Sequence, residues 1–89
     1  MLKKEDFVFE KFDKEYEDYW FTVQGDTQEY LTEQYMEQSM IEIISVVYSK
    51  VEDFVAVKCL FPFNCWVRKS DDAELKQLLM ELIDERNNT

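Results

Sequence analysis

A single glycine, Gly25, and a single proline, Pro62, serve all 89 residues of this chain. Tight reversals depend on these two residue types, because glycine tolerates left-handed backbone and proline presets φ. A chain nearly without them has few ways to build the close turns of a sandwich or small barrel. Helices with a few strands are therefore favoured over an all-β design. The length suits one domain, residues 1–89, and a domain of this size buries only about 60 to 65% of its unfolded surface. Seven Phe, five Tyr and two Trp in a chain that is 46% hydrophobic allow a core without metal or disulfide.

The clearest periodicity is the last. Ser70 is suited to cap a helix, Asp71, Asp72 and Glu74 suit its positive end, and Leu75, Leu78, Leu79, Leu82 and Ile83 recur at helical spacing. This predicts an amphipathic helix over 71–86. A second, long helix is expected to start after Gly25, with Asp26 as cap and Glu29 three residues on, and to run to about Lys50. Its apolar stripe would be Met36, Met40, Ile43, Ile44, Val47 and Val51. Phe54 to Leu60 and Cys65 to Arg68 are β-prone runs around Phe61-Pro62-Phe63-Asn64 and read as a hairpin, although a helix continued through Val51, Phe54 and Val55 competes with it.

The first 24 residues fit either type. Tyr19, Phe21 and Val23 alternate with Trp20, Thr22 and Gln24, yet Val8, Phe9, Phe12, Tyr16, Tyr19, Trp20 and Val23 also fall on one helical face. Strands are preferred, since the aromatic and β-branched run from Tyr19 is a poor helix interior and Asp13-Lys14-Glu15 can turn after a strand at about residues 7–12. The expected class is α+β in the order β-β-α-β-β-α, with a mostly α chain as the alternative.

Catalytic chemistry has little material. With no His, Ser-His and Cys-His nucleophiles are excluded, and one Gly leaves no phosphate-cradling loop. Neighbouring carboxylates such as Glu15 with Glu17, Glu52 with Asp53, or Asp71 with Asp72 are common by chance in so acidic a chain. Cys59 and Cys65 fit neither a CxxC motif nor a four-ligand zinc site, and are expected to be buried thiols. No cofactor, metal or enzymatic activity is expected. The N-terminus runs from Lys3 and Lys4 straight into acids without the apolar stretch of a signal peptide, and Val55 to Val67 is too short to cross a bilayer, so a cytoplasmic setting is expected.

Charge carries the functional content. Twenty acids face ten bases, a net of −10, which disfavours direct nucleic-acid binding and favours a basic protein partner. Residues 5–42 hold twelve acids against Lys11 and Lys14, so the entire formal charge is concentrated there. On the expected long helix Glu29, Glu33 and Glu37 form a row at i, i+4, i+8, a spacing that costs about 0.2 to 0.5 kcal/mol per like-charged pair. Tyr30 stands near this row, and Asp26 and Trp20 are its expected neighbours, a combination suited to Arg and Lys on a partner. The plainer reading is a solvated face that keeps a small protein dissolved.

The expected function is therefore a small acidic inhibitor, monomeric or weakly dimeric, that covers a basic, nucleic-acid-handling site on another protein. An immunity protein or antitoxin of a nuclease and a DNA-mimicking decoy both fit. The alternative is a structural or adaptor subunit that binds through an aromatic-rich surface. Steep loss of association rate with salt would mark the first and its absence the second.

Overall fold

The computed structural model describes residues 1–36, 42–59 and 64–88. Five strands, β1 (Phe7–Asp13), β2 (Asp18–Val23), β3 (Ile43–Ser49), β4 (Phe54–Cys59) and β5 (Asn64–Arg68), form one antiparallel sheet in chain order. Helix α1 (Gly25–Met36) lies between β2 and β3, and α2 (Ala73–Asn87) follows β5. The class is α+β. No helix among the described residues is long and apolar enough to cross a membrane.

Strand alternation divides the sheet into two unlike faces. On one, Phe7, Phe21, Val23, Val46, Tyr48, Val55, Val57 and Val67 form a single core with Leu31 of α1 and Leu75, Leu79 and Ile83 of α2. Both helices thus cover the same face. Phe7 and Phe9 meet Phe21 edge to face, with centroids 6.5 and 5.8 Å away. The other face carries Val8, Trp20, Thr22, Ser45, Val47, Ala56, Lys58 and Trp66, and no helix among the described residues packs on it.

The long central helix is corrected. Helix α1 ends at Met36, and Ile43, Ile44 and Val47, expected on its apolar stripe, belong to β3. The run Ile43-Ile44-Ser45-Val46-Val47 is β-branched at four of five positions and prefers a pleated strand. It lacks period-two alternation because β3 is the middle strand and is buried on both faces, the helix-covered side by the core and the other by its neighbours. Met40 and Glu37 lie outside the described residues.

Helix starts also differ from expectation. Asp26 does not cap α1; the Thr27 amide donates instead to Asp6 Oδ2 at 3.1 Å, from the short turn before β1. Gly25 admits this arrangement, because its φ is +61° and a Cβ there would sit 3.0 Å from Asp6 Oδ1. The buried Thr27 hydroxyl accepts the Lys3 amide at 2.9 Å and ties the N-terminal arm to α1. For α2 the cap is Asp72, which accepts from Leu75 N at 3.1 Å, since residues 69–71 form a 3-10 turn that leaves Ser70 outside.

Five strands exceed the few that the scarcity of Gly and Pro suggested. The β1–β2 reversal uses Glu17 at φ 55°, and the Glu15 amide donates to Asp13 Oδ1 at 3.0 Å. At the β3–β4 reversal the Val51 amide donates to Ser49 Oγ at 3.2 Å. Polar side chains thus close reversals that glycine would ordinarily make.

Candidate functional site

The registers of the uncovered face align one residue from each strand into a lateral row. Lys11 lies opposite Trp20, Trp20 opposite Val47, Val47 opposite Ala56, and Ala56 opposite Trp66. Two indoles therefore flank two small residues, so the middle of the sheet forms a trough. Toward the β1–β2 and β3–β4 reversals the next row brings Asp18 opposite Ser49 and Phe54 opposite Arg68. The row on the other side holds Thr22, Ser45, Lys58 and Asn64.

The result is a groove of about 370 Å³. Its walls are the aromatic rings of Tyr16, Trp20, Phe54 and Trp66, and Val47 and Ala56 lie between them. Asp18, Ser49 and Glu52 form its polar end. The floor is covered although no helix among the described residues lies over it: Val47 is 8%, Ala56 5% and Ser49 5% exposed. Trp66, on the edge strand, is 65% exposed. An indole so bare in one groove with Phe54 and Tyr16, both exposed, makes an apolar patch of the kind that marks recognition surfaces.

Electrostatics divide the groove lengthwise. Lys11 and Lys58 hold their ammonium groups 4.6 and 4.8 Å from the Trp20 ring, where the ring quadrupole attracts them. The Trp20 indole N–H is buried with no acceptor among the described residues. At the other end Asp18 stands opposite Asp13 across the β1–β2 pairing. Burial first, then the Asp13 charge, pushes the Asp18 carboxyl above its ordinary value; Glu52 adds to the rise, while a Ser49 hydrogen bond and the Lys58 charge offset part of it. No ion pair to Asp18 or Glu52 forms among the described residues.

The residues singled out in the sequence are divided by the sheet. Trp20 lies on the uncovered face, while Asp26, Glu29, Tyr30 and Glu33 are on α1, packed on the opposite face. Asp26 is exposed and paired with Lys3 at 2.8 Å, which gives it a structural partner. Glu29 and Glu33 are exposed and share a shallow depression of about 180 Å³ with Glu42. Tyr30 is half-buried against the core, so much of its ring serves packing. Glu37 lies outside the described residues.

Sequence reasoning missed Phe54, Trp66, Val47 and Ala56 as a surface. The signal was the alternation Phe54-x-Ala56-x-Lys58 and Trp66-x-Arg68, which matches Asp18-x-Trp20-x-Thr22 in β2. With β3 read as helix, nothing joined the two tryptophans. No family model, curated protein or solved structure matches the chain.

Proposed function

We propose that this chain is a protein-binding module rather than an enzyme, an adaptor that docks a basic partner on the uncovered face of its sheet. The observation that carries the reading is the row Trp20-Val47-Ala56-Trp66, an aromatic-walled trough on a face that no helix of the described chain protects. Large flat aromatics on a rigid sheet supply apolar area at little entropic cost, and Trp and Tyr dominate the energetics of many interfaces. The net charge of −10 favours a basic partner and speeds its approach.

A second reading is favoured by a separate observation. Glu29 and Glu33 border one depression with Glu42, and none of the three has an ion pair among the described residues. That acidic strip suits the inhibitor of a basic, nucleic-acid-handling protein, with α1 as the contact. The two readings separate in a quantitative pull-down from the producing cells that compares wild type, Trp66→Ala and the double variant Glu29→Lys with Glu33→Lys. Loss of the same interactor with Trp66→Ala alone supports the sheet, and loss with the α1 variant alone supports the inhibitor. Interactors unaffected by either would refute both.

A further inference from the structure

The aromatic groove carries a directional charge that its apolar walls do not explain. Tyr16, Phe54 and Trp66 contribute apolar rings, and Asp18 and Glu52 approach from one end. Asp18 and Lys58 lie on rows four residues apart and on strands two apart, so their backbones are separated by about 13 Å along the strands and about 10 Å across them. The ammonium groups of Lys58 and Lys11 rest over Trp20, one row in from Asp18, and among the influences on the Asp18 carboxyl the Lys58 charge is the smallest. Arg68, opposite Phe54, lines a different depression with Lys69 and Lys76. A groove walled by rings, with its lysines held against Trp20 and its carboxylates at the Asp18 end, suits an elongated apolar group tipped by a cation.

Resting on the reading of this face as the docking surface, we propose that the groove receives an arginine side chain, carried on an apolar segment of the partner, with its guanidinium between Asp18 and Glu52 and its stem along Phe54 and Trp66. Arginine fits better than lysine on physical grounds. Its planar head stacks on aromatic rings and offers paired donors to carboxylates, and it is more weakly hydrated than an ammonium. The proposal also accounts for a local conflict. Asp18 is half-buried opposite Asp13 and near Glu52, an arrangement unfavourable to the free chain and relieved by an incoming cation.

The probe is an acetylated, amidated peptide Ser-Leu-Arg-Leu-Ser, with versions bearing citrulline, Lys or Glu in place of Arg. Binding is followed through amide and tryptophan indole resonances of the isotopically labelled chain. The Arg peptide is expected to shift Trp66, Ser49 and Asp18. Affinity should fall about tenfold, equivalent to about 1.4 kcal/mol, when Arg becomes citrulline or when Asp18→Asn is combined with Glu52→Gln. Glu29→Gln with Glu33→Gln removes the same formal charge and should change affinity less than twofold.

Equal losses in the two double variants, or shifts centred on α1, would mean generic attraction and overturn the proposal. Citrulline or Glu peptides that bind as well as Arg would overturn the arginine assignment while leaving the docking face intact. A Lys peptide of equal affinity would overturn the preference for guanidinium. No groove shift at millimolar peptide would also overturn the proposal, and the Trp66→Ala pull-down would then judge the docking face independently.

Discussion

Asp72 joins two elements through one carboxylate, which makes its contribution measurable. Its Oδ1 accepts the Leu75 amide at 3.1 Å to cap α2, and its Oδ2 accepts the Tyr35 hydroxyl at 2.5 Å from α1. Asp72→Ala removes a cap worth about 1 kcal/mol and strands a half-buried hydroxyl at a further cost of about 1 to 3 kcal/mol. The expected loss is about 2 to 4 kcal/mol, against a total of about 4 to 13 kcal/mol for a domain of this length. Tyr35→Phe leaves the cap intact and should cost about 1 to 2 kcal/mol. In the double variant no hydroxyl is stranded, so its loss should fall short of the sum by about 1 to 3 kcal/mol. Urea unfolding followed by far-ultraviolet circular dichroism measures this, with midpoints that move at constant slope. Additivity within about 0.5 kcal/mol would refute the bond. Titration supplies a second check. Burial, and then Asp72, raise the Tyr35 hydroxyl well above its ordinary 10.0. The folded chain holds that proton where the unfolded chain releases it, so stability is full below pH 10 and declines as pH rises above it.

Leu79 is fully buried in α2, and Leu79→Ala should cost about 2 to 5 kcal/mol in urea unfolding; an unmoved midpoint would remove it from the core. Gly25→Ala should cost about 1 to 2 kcal/mol because of its positive φ, and more if Asp6 cannot withdraw from a Cβ built 3.0 Å from its Oδ1; an unchanged melting temperature would contradict that crowding. Asp18→Asn should match or exceed wild type in melting temperature at pH 7. The Asp18 carboxyl is raised above its ordinary 3.8, so its ionisation penalises the folded state at high pH and the penalty fades on acidification. The advantage of the variant should therefore shrink toward pH 4, and an advantage that grows there would reverse the sign of the argument.

Local chemistry made much of the fold legible. Leu75, Leu79 and Ile83 announce α2, and the alternation from Tyr19 to Val23 and the β-prone runs either side of Pro62 mark strands that formed. What failed was β3, whose periodicity is erased by burial on both faces and whose spacing also fits a helix. Ile43, Ile44 and Val47 fit a helical stripe by spacing, and only the stiffness of their branched side chains argued otherwise. The same error hid the groove, since Val47 is the step between Trp20 and Ala56. Helix caps were hard to read for another reason: Asp6 reaches Thr27 across 21 positions, a contact that no local motif encodes.

The order of the strands governs how quickly the chain can fold. Every strand pairs with the strand before or after it in the chain, so the sheet can grow by successive hairpins, interrupted once by α1. Loop-closure entropy is then small for most of the sheet, and refolding should be faster than in sandwiches, whose strands pair across long connections. Beyond the packing of α2 on the sheet, the N-terminal arm adds distant polar ties at the periphery: Lys4 to Glu81 and Glu85 at 3.1 and 2.8 Å, and the Lys3 amide to Thr27. Forming late, they should leave refolding rates almost untouched when mutated and appear instead in the unfolding rate. The N-terminal arm would then act as a latch that sets the lifetime of the folded state.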